Sequence, residues 1–349
     1  MKIIIITPTF FPTLSGNAVC ARRIELGLRR LGHEVLVRTP HQIDLKEIKN
    51  FSPDVLHGLH AYQCRVAQKL SLQLKIPYIL TLTGSDYEEC LIDSVKYEKA
   101  LNKKGVKEIT LNAMKEASYL VVYNDETRKK ILSIFPEFTT KMRIIAKGVP
   151  IINQGNYSFR DRNSIDDKDF VFSLVSGIRP RKNNFCPIDS LGQLRGKYKK
   201  IVLTFVGPVA DEQYDRELRE KIKGLDWIRY VGGVSIDNMK SVFLESDVVL
   251  NCSHFEGESN AIIEAMYYGR PLLVSEVDGN IPLVEDGVDG LFFEQGNGES
   301  FKEKAKNLIV NRVFREKLGQ NARKKSLKII NNHEPGNYEN LYALSMNPG

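Results

Sequence analysis

The sequence predicts an α/β protein made of two doubly wound, Rossmann-like parallel sheets. Three observations predict it. Short runs of apolar, mostly β-branched residues recur along the chain, the composition of parallel strands buried on both faces. Amphipathic stretches of helical length lie between them, the alternation that wraps helices around such a sheet. The 349 residues exceed what one ordinary core organises, so the alternation divides into two series.

Taken in order, Ile3 to Thr7 is the first strand, because four consecutive isoleucines favour extended backbone and leave no polar face. Pro8, Pro12 and Gly16 end it, and they also stop the run short of the apolar length of a secretory leader. Ala18 to Leu31 reads as an amphipathic helix closed by Gly32, and Glu34 to Thr39 as the next strand, which completes a β-loop-α-β unit. Val55-Leu56-His57 is a short strand, Tyr62 to Leu74 a helix, and Tyr78 to Thr83 a strand ending at Gly84-Ser85-Asp86. Lys107 to Ala117 is a helix and Tyr119 to Tyr123 a strand, after which Arg143-Ile144-Ile145 leads to Lys147-Gly148-Val149-Pro150. Residues 151–168 are polar and aperiodic, the character of a linker between domains. The second series has strands at Phe170 to Val175, Ile201 to Val206, Ile228 to Val231, Val248 to Asn251 and Pro271 to Ser275. Residues 299–332 read as lysine-rich helix, and Tyr338 to Leu344 as a short helix after Pro335-Gly336. The expected division is 1–160, 161–334, and a segment 335–349 that returns to the first domain. Ligands of such sheets gather at the carboxyl ends of the strands, and two halves can set those ends facing each other across a cleft.

Composition narrows the chemistry. Hydrophobic residues make up 42% and charged residues 27%, as in an ordinary globular enzyme. A net charge of +7 suits anionic ligands such as nucleotides and phosphates. The basic residues are dispersed and not interleaved with aromatics, which argues against nucleic acid. The five cysteines are widely spaced with no C-x-x-C pair, so a reducing, cytoplasmic setting is expected and redox or metal motifs are not. No stretch approaches the length of a membrane span. Arg22, Arg23, Arg29 and Arg30, and further on Lys96, Lys99, Lys103, Lys104 and Lys107, read either as solvated helix faces or as peripheral contacts with an anionic membrane surface.

The most informative stretch runs from His254 to Met266. Glu256 sits in a polar loop beside Gly257, and Glu264, after seven intervening residues, sits in an apolar run that reads as helix. The loop brings small residues to a helix start, where backbone N–H groups favour an anion, while carboxylates suit hydroxyls. A ligand carrying both phosphate and sugar hydroxyls would use all of it. Upstream, Arg179, Arg181 and Lys182 form a basic loop after a strand, suited to two phosphate charges or, alternatively, simply solvated.

The run from Glu256 to Glu264 resembles the E-x7-E signature of retaining glycosyltransferases of family four, which have the GT-B fold. The likeness extends over nearly the whole chain. Pro12 to Gly16 occupies the place of that family's glycine-rich first loop, and Gly32-His33-Glu34-Val35 matches its GHEV turn. Gly177 to Asn183 sits where the family has an Arg and Lys diphosphate clamp, and Gly269-Arg270-Pro271 and Asp278-Gly279-Asn280 match the segment after the signature helix. The resemblance implies a catalytic set of Lys182, Glu256 and Arg179: Lys182 on the diphosphate, Arg179 reaching the same phosphates, Glu256 on the donor sugar facing the reacting carbon. It gives Glu264 to the ribose hydroxyls. Gly257, Glu258, Ser259 and Asn260 form the loop whose backbone cradles the distal phosphate, and Gly16 lets backbone approach donor phosphate or acceptor. Asp86, His57 and Thr83 are acceptor-side candidates, with His60 beside them. Each has a plainer reading: Glu264 a surface helix carboxylate, Glu256 a loop cap, Asn260 a helix N-cap, the histidines structural. The chain departs from the pattern at Gly177, where the family has arginine, at Asn17, where it has a second glycine, and at Thr83, where it has histidine.

The function implied is transfer of a sugar from a UDP- or GDP-linked donor to a glycan, lipid or small-molecule acceptor. The family's route is front-face attack with retention, needing no cofactor and no metal ion, since lysine, arginine and helix dipoles neutralise the diphosphate. Two other functions stay open here: a non-catalytic sugar-nucleotide binder, and a nucleotide-sugar epimerase or hydrolase on the same fold. A dinucleotide oxidoreductase is disfavoured, since the first loop lacks G-x-G-x-x-G.

Overall fold

The computed structural model describes residues 1–150, 157–198, 200–330 and 333–347. The chain forms two compact units, Met1–Gly148 with Asn331–Gly349, and Val149–Ile330.

The first unit is built on a six-stranded, fully parallel sheet of β1 (Lys2–Ile6), β2 (Glu34–Arg38), β3 (Val55–Leu59), β4 (Tyr78–Thr81), β5 (Tyr119–Val122) and β6 (Met142–Ile144), in the order β2-β1-β3-β4-β5-β6. The isoleucines of β1 explain why it is central. Ile4 and Ile6 join one core with Leu56, Leu80 and Leu120, while Ile3 and Ile5 join another on the opposite face with Ile24 and Leu28. Helix Gly16–Arg30 covers that second face, started by Ser15, whose hydroxyl accepts the Ala18 N–H. The face is completed by the terminal helix Glu334–Met346, whose Tyr338, Leu341 and Tyr342 belong to the same core. This helix is longer than the predicted one. It begins at Glu334 with Pro335 in its first turn, where a missing N–H costs nothing.

The second unit repeats the design with β7 (Phe170–Val175), β8 (Ile201–Val206), β9 (Ile228–Gly232), β10 (Val248–Asn251), β11 (Leu272–Ser275) and β12 (Leu291–Phe293), in the order β12-β11-β10-β7-β8-β9, again all parallel. Side chains alternate between two cores here too: Val248 and Leu250 on one face, Val249 on the other.

The units divide at residue 148, earlier than the expected boundary at 160, and the chain returns to the first unit at 331 instead of 335. The expected linker explains the first difference. Its residues 151–156 lie outside the described residues. From Tyr157 on the chain already packs in the second unit: Phe159 is fully buried with Val171, Val202 and Val242, and Arg160 Nη2 meets Asp247 at 3.1 Å. Other elements also differ. The predicted helix over 299–332 is two helices, Gly298–Val310 and Arg312–Ile329, because Asn311 caps the second by accepting the Phe314 N–H. The helix expected over 62–74 begins only at Val66, after a turn in which His60 takes a left-handed φ of 79°. Strand β12 and helix Asp125–Ile134 were not anticipated.

Candidate functional site

The candidate donor site lies at the carboxyl edge of the second unit's sheet, after β7 and β10. Beyond Val175 the chain crosses Gly177 and makes a single 3-10 turn, Pro180–Lys182. Asn184, fully buried, shapes it: its carbonyl oxygen accepts the Arg179 N–H at 3.3 Å and its amide donates to Ser176 Oγ at 3.2 Å. Proline starts the turn and left-handed Asn183 ends it, so Lys182 is directed by backbone geometry and not by a free loop.

After β10, residues 252–259 form the signature loop, and helix Asn260–Tyr267 follows. The loop is stitched to the basic turn. The His254 N–H donates to the Arg181 carbonyl at 2.9 Å. The Arg181 guanidinium lies 4.4 Å from the Phe255 ring centre and donates to the Phe255 carbonyl at 3.2 Å. Glu256 is turned inward, 6% exposed. Its Oε1 accepts from Lys182 Nζ in an ion pair, from Asn251 Nδ2 at 3.0 Å and from Ser253 Oγ at 2.7 Å. Burial works against the charged carboxyl, yet Lys182 and these two bonds overcome it and bring its pKa down to about 2. Burial lowers the Lys182 ammonium, against the pull of Glu256, and neighbouring Arg179 and Arg181 lower it further.

The structure therefore brings Lys182 and Glu256 together across the two loops, with the exposed Arg179 close enough to act on Lys182 electrostatically. Glu264 is buried on the signature helix, and Tyr268 is pushed up to about 12 by burial first and by the Glu264 charge second. Gly257 and Glu258 are half-buried in the loop. The helix cap is Ser259 and not Asn260, which is the first helical residue; Ser259 has the extended backbone a cap needs. The loop is pressed from behind by Gly279, where any Cβ would stand 2.2 Å from the Glu256 carbonyl oxygen. Sequence reasoning missed Asn251 and Ser253 as site residues. A polar residue closing the apolar run Val248-Val249-Leu250 was the available signal.

In the first unit two expectations are corrected. His57 is fully buried inside β3, its Nδ1 at 2.7 Å from Tyr342 Oη and its Nε2 at 2.8 Å from Thr81 Oγ1; burial lowers its pKa to about 3. It is a core histidine and not an acceptor ligand. Asp86, also fully buried, accepts the N–H groups of Thr83, Gly84 and Ala61 at 3.0, 2.9 and 3.2 Å. Its lone pairs are spent folding that loop. Thr83 stays half-buried at the rim, held through its backbone by Asp86. Gly16 is exposed and opens the first helix. Among the described residues no group of three or more His, Cys, Asp or Glu could hold a metal ion, and no helix is long and apolar enough to cross a membrane.

Residues 157–325 match the family model described as "Glycosyl transferases group 1". Among curated relatives, the Glycosyltransferase 1 domain-containing protein 1 of Xenopus tropicalis is 22% identical over 89% of this chain and 88% of its own length. The alpha-monoglucosyldiacylglycerol synthase of Acholeplasma laidlawii is 22% identical over 91% and 90%. Among solved structures, Anabaena HepE in complex with UDP-glucose superposes with a TM-score of 0.76 at 17% identity, over 99% of this chain and all (100%) of that one. Sucrose-phosphate synthase from Thermosynechococcus elongatus gives 0.78 at 15% identity, over 100% of both chains. These likenesses show the GT-B fold.

Proposed function

We propose that the chain, whose residues 157–325 match the group 1 glycosyltransferase family model, is a glycosyltransferase that holds a nucleotide-sugar donor in the second unit and transfers its sugar with retention. The observation that carries the reading is the pairing of Lys182 with Glu256 across two strand-end loops, beside the start of a helix that carries Glu264. Glycosidic cleavage builds charge on the leaving diphosphate. A preorganised cation there stabilises the transition state more than the ground state. Lys182 is that cation, with Arg179 next to it. Glu264 takes the ribose diol and Glu256 the sugar hydroxyls, while backbone N–H groups at Ser259 and Asn260 meet the distal phosphate.

Front-face attack accords with the state of Glu256. A double displacement would need a nucleophilic carboxylate. Lysine and two neutral donors on Oε1 withdraw electron density and make Glu256 a poor nucleophile. The leaving phosphate then takes the acceptor's proton as the new bond forms. The acceptor is a hydroxyl of a glycan, lipid or small molecule, and no divalent ion is required.

The test is a thermal-shift screen against UDP, GDP, ADP and their sugars. A cognate donor at about a hundredfold over its Kd stabilises the fold by roughly 2.7 kcal/mol, which is read as a raised Tm. In folded Lys182→Ala, turnover drops by about 10²–10³-fold. No shift with any nucleotide, or unchanged kinetics in that variant, overturns the reading.

A further inference from the structure

Asn251 closes β10, is 5% exposed, and belongs to no recognisable motif. Its amide is fully engaged. Nδ2 donates to Glu256 Oε1 at 3.0 Å and to Ser259 Oγ at 3.2 Å. Oδ1 accepts the Ser253 N–H at 3.1 Å and Asn280 Nδ2 at 3.3 Å. A primary amide offers two donor hydrogens and two lone pairs, so this one has no spare capacity. Nor can it flip, since the reversed amide would aim its oxygen at a carboxylate. Asn280 is anchored in turn by donating to the Ser275 carbonyl at 2.9 Å, and Ser275 Oγ donates to the Ser253 carbonyl at 2.7 Å. The ends of the adjacent strands β10 and β11 are thereby locked around one side chain.

We propose that Asn251 is a positioning residue for the donor sugar, holding the Glu256 carboxylate and the Ser259 cap in the one orientation that receives sugar hydroxyls. This rests on the reading of Glu256 as the group that holds the sugar. It deepens that reading by locating sugar affinity, as distinct from nucleotide affinity, in a residue that does not touch the ligand. Asparagine is required for a specific reason. The isosteric Asn251→Asp keeps both acceptor contacts, to Ser253 and Asn280, but sets a negative charge against Glu256 and removes the donor to Ser259. Two adjacent carboxylates cannot both stay ionised cheaply. Acid restores the arrangement, because a protonated aspartyl group in the variant regains an O–H donor toward its neighbour.

The experiment measures Kd for UDP-glucose and UDP, and for GDP-mannose and GDP, by calorimetry at about pH 8 and about pH 5.5, well apart on the scale of carboxyl titration. The proteins are the unaltered chain, Asn251→Asp, Asn251→Ala and Glu256→Ala, each shown folded by near-UV circular dichroism. In Asn251→Asp the preference for sugar nucleotide over nucleotide falls about tenfold at the higher pH, the worth of one charge-assisted hydrogen bond, and recovers at the lower. In Asn251→Ala it falls at both and does not recover, and this variant carries the test if the aspartate variant fails to fold. In the unaltered chain Glu256 is ionised throughout, so its preference moves only as far as the free nucleotide's own terminal phosphate titrates, and each variant is read against the unaltered chain at the same pH. A purely structural role would weaken sugar nucleotide and nucleotide alike, with no acid recovery, and that result overturns the inference. So does an unchanged preference in both Asn251 variants while Glu256→Ala loses it. Retained preference in Glu256→Ala, or no binding of either pair by the unaltered chain, overturns the donor reading of Glu256 itself.

Discussion

Glu256 stays ionised where burial alone would neutralise it, because a lysine and two neutral donors meet one of its oxygens. Glu264, eight positions on and likewise buried, is the other carboxylate of the candidate site. Replacing it with alanine is expected to weaken binding of the whole donor by about 10–100-fold, the value of hydrogen bonds to a charged acceptor. Calorimetry with nucleotide and sugar nucleotide checks this, and equal loss for both ligands is the mark of a ribose contact. His57 makes a different prediction, about stability. Its folded pKa is about 3 against an ordinary 6.5, so between those values the unfolded chain binds more protons. Its contribution to stability is complete above the unfolded value and is lost as pH falls through that window. Burial lowers His60 as well, which adds to the same slope. Thermal midpoints measured down from neutral pH should fall less steeply in His57→Gln, which cannot titrate. An identical slope in the variant would remove His57 as the cause.

Elements meet at the signature loop, and Gly279 shows how tightly. A Cβ there would lie 2.2 Å from the Glu256 carbonyl oxygen and 2.5 Å from that of Gly257. Gly279→Ala must push the loop forward, with a cost of roughly 1–3 kcal/mol by analogy with overpacking. It should also weaken sugar-nucleotide binding. A denaturant midpoint and a Kd both unchanged would show that the loop yields freely. The elements also show what a sequence reveals and what it hides. The strands were legible because buried parallel strands are apolar without alternation, as Ile3 to Ile6 are. Helix Asp125–Ile134 was not, since its Arg, Lys, Asp and Glu mask a narrow apolar face, and it depends on the Asn124 cap and the packing of Ile131. Three-residue β12 is too short to carry a period. Glu256 and Glu264 were legible because the strand-loop-helix that presents them is contiguous. The partnership of Asn251 with Asn280 was not, because it exists only once β10 and β11 lie side by side. His57 and Asp86 were misread for a related reason: a place near a strand end does not reveal which way a side chain turns.

The first unit is closed by residues from the far end of the chain. Arg23 and Glu334, 5% and 1% exposed, form a two-pronged pair at 2.6 and 2.9 Å, and Glu334 also accepts the Gly148 N–H at 3.1 Å. Removing one member of such a pair strands the other charge in the interior, so Glu334→Ala is expected to destabilise the first unit by about 3–5 kcal/mol. Chemical denaturation resolved by unit checks this; loss of stability confined to the second unit would contradict it. The pair belongs to a wider arrangement in which Tyr338 and Tyr342 cover His57 and Thr81. The terminal helix is thus part of the core of a unit that otherwise ends at Gly148. That has a consequence for synthesis on the ribosome. At roughly 5–20 residues per second, the nearly two hundred residues between Gly148 and Met346 take about 10–40 seconds to appear. During that time the nascent first unit lacks one wall, with Ile24, Leu28 and Ile79 short of their cover, while the contiguous second unit can finish folding. The usual order of co-translational folding is reversed, and the half that begins first is the one that most needs a chaperone.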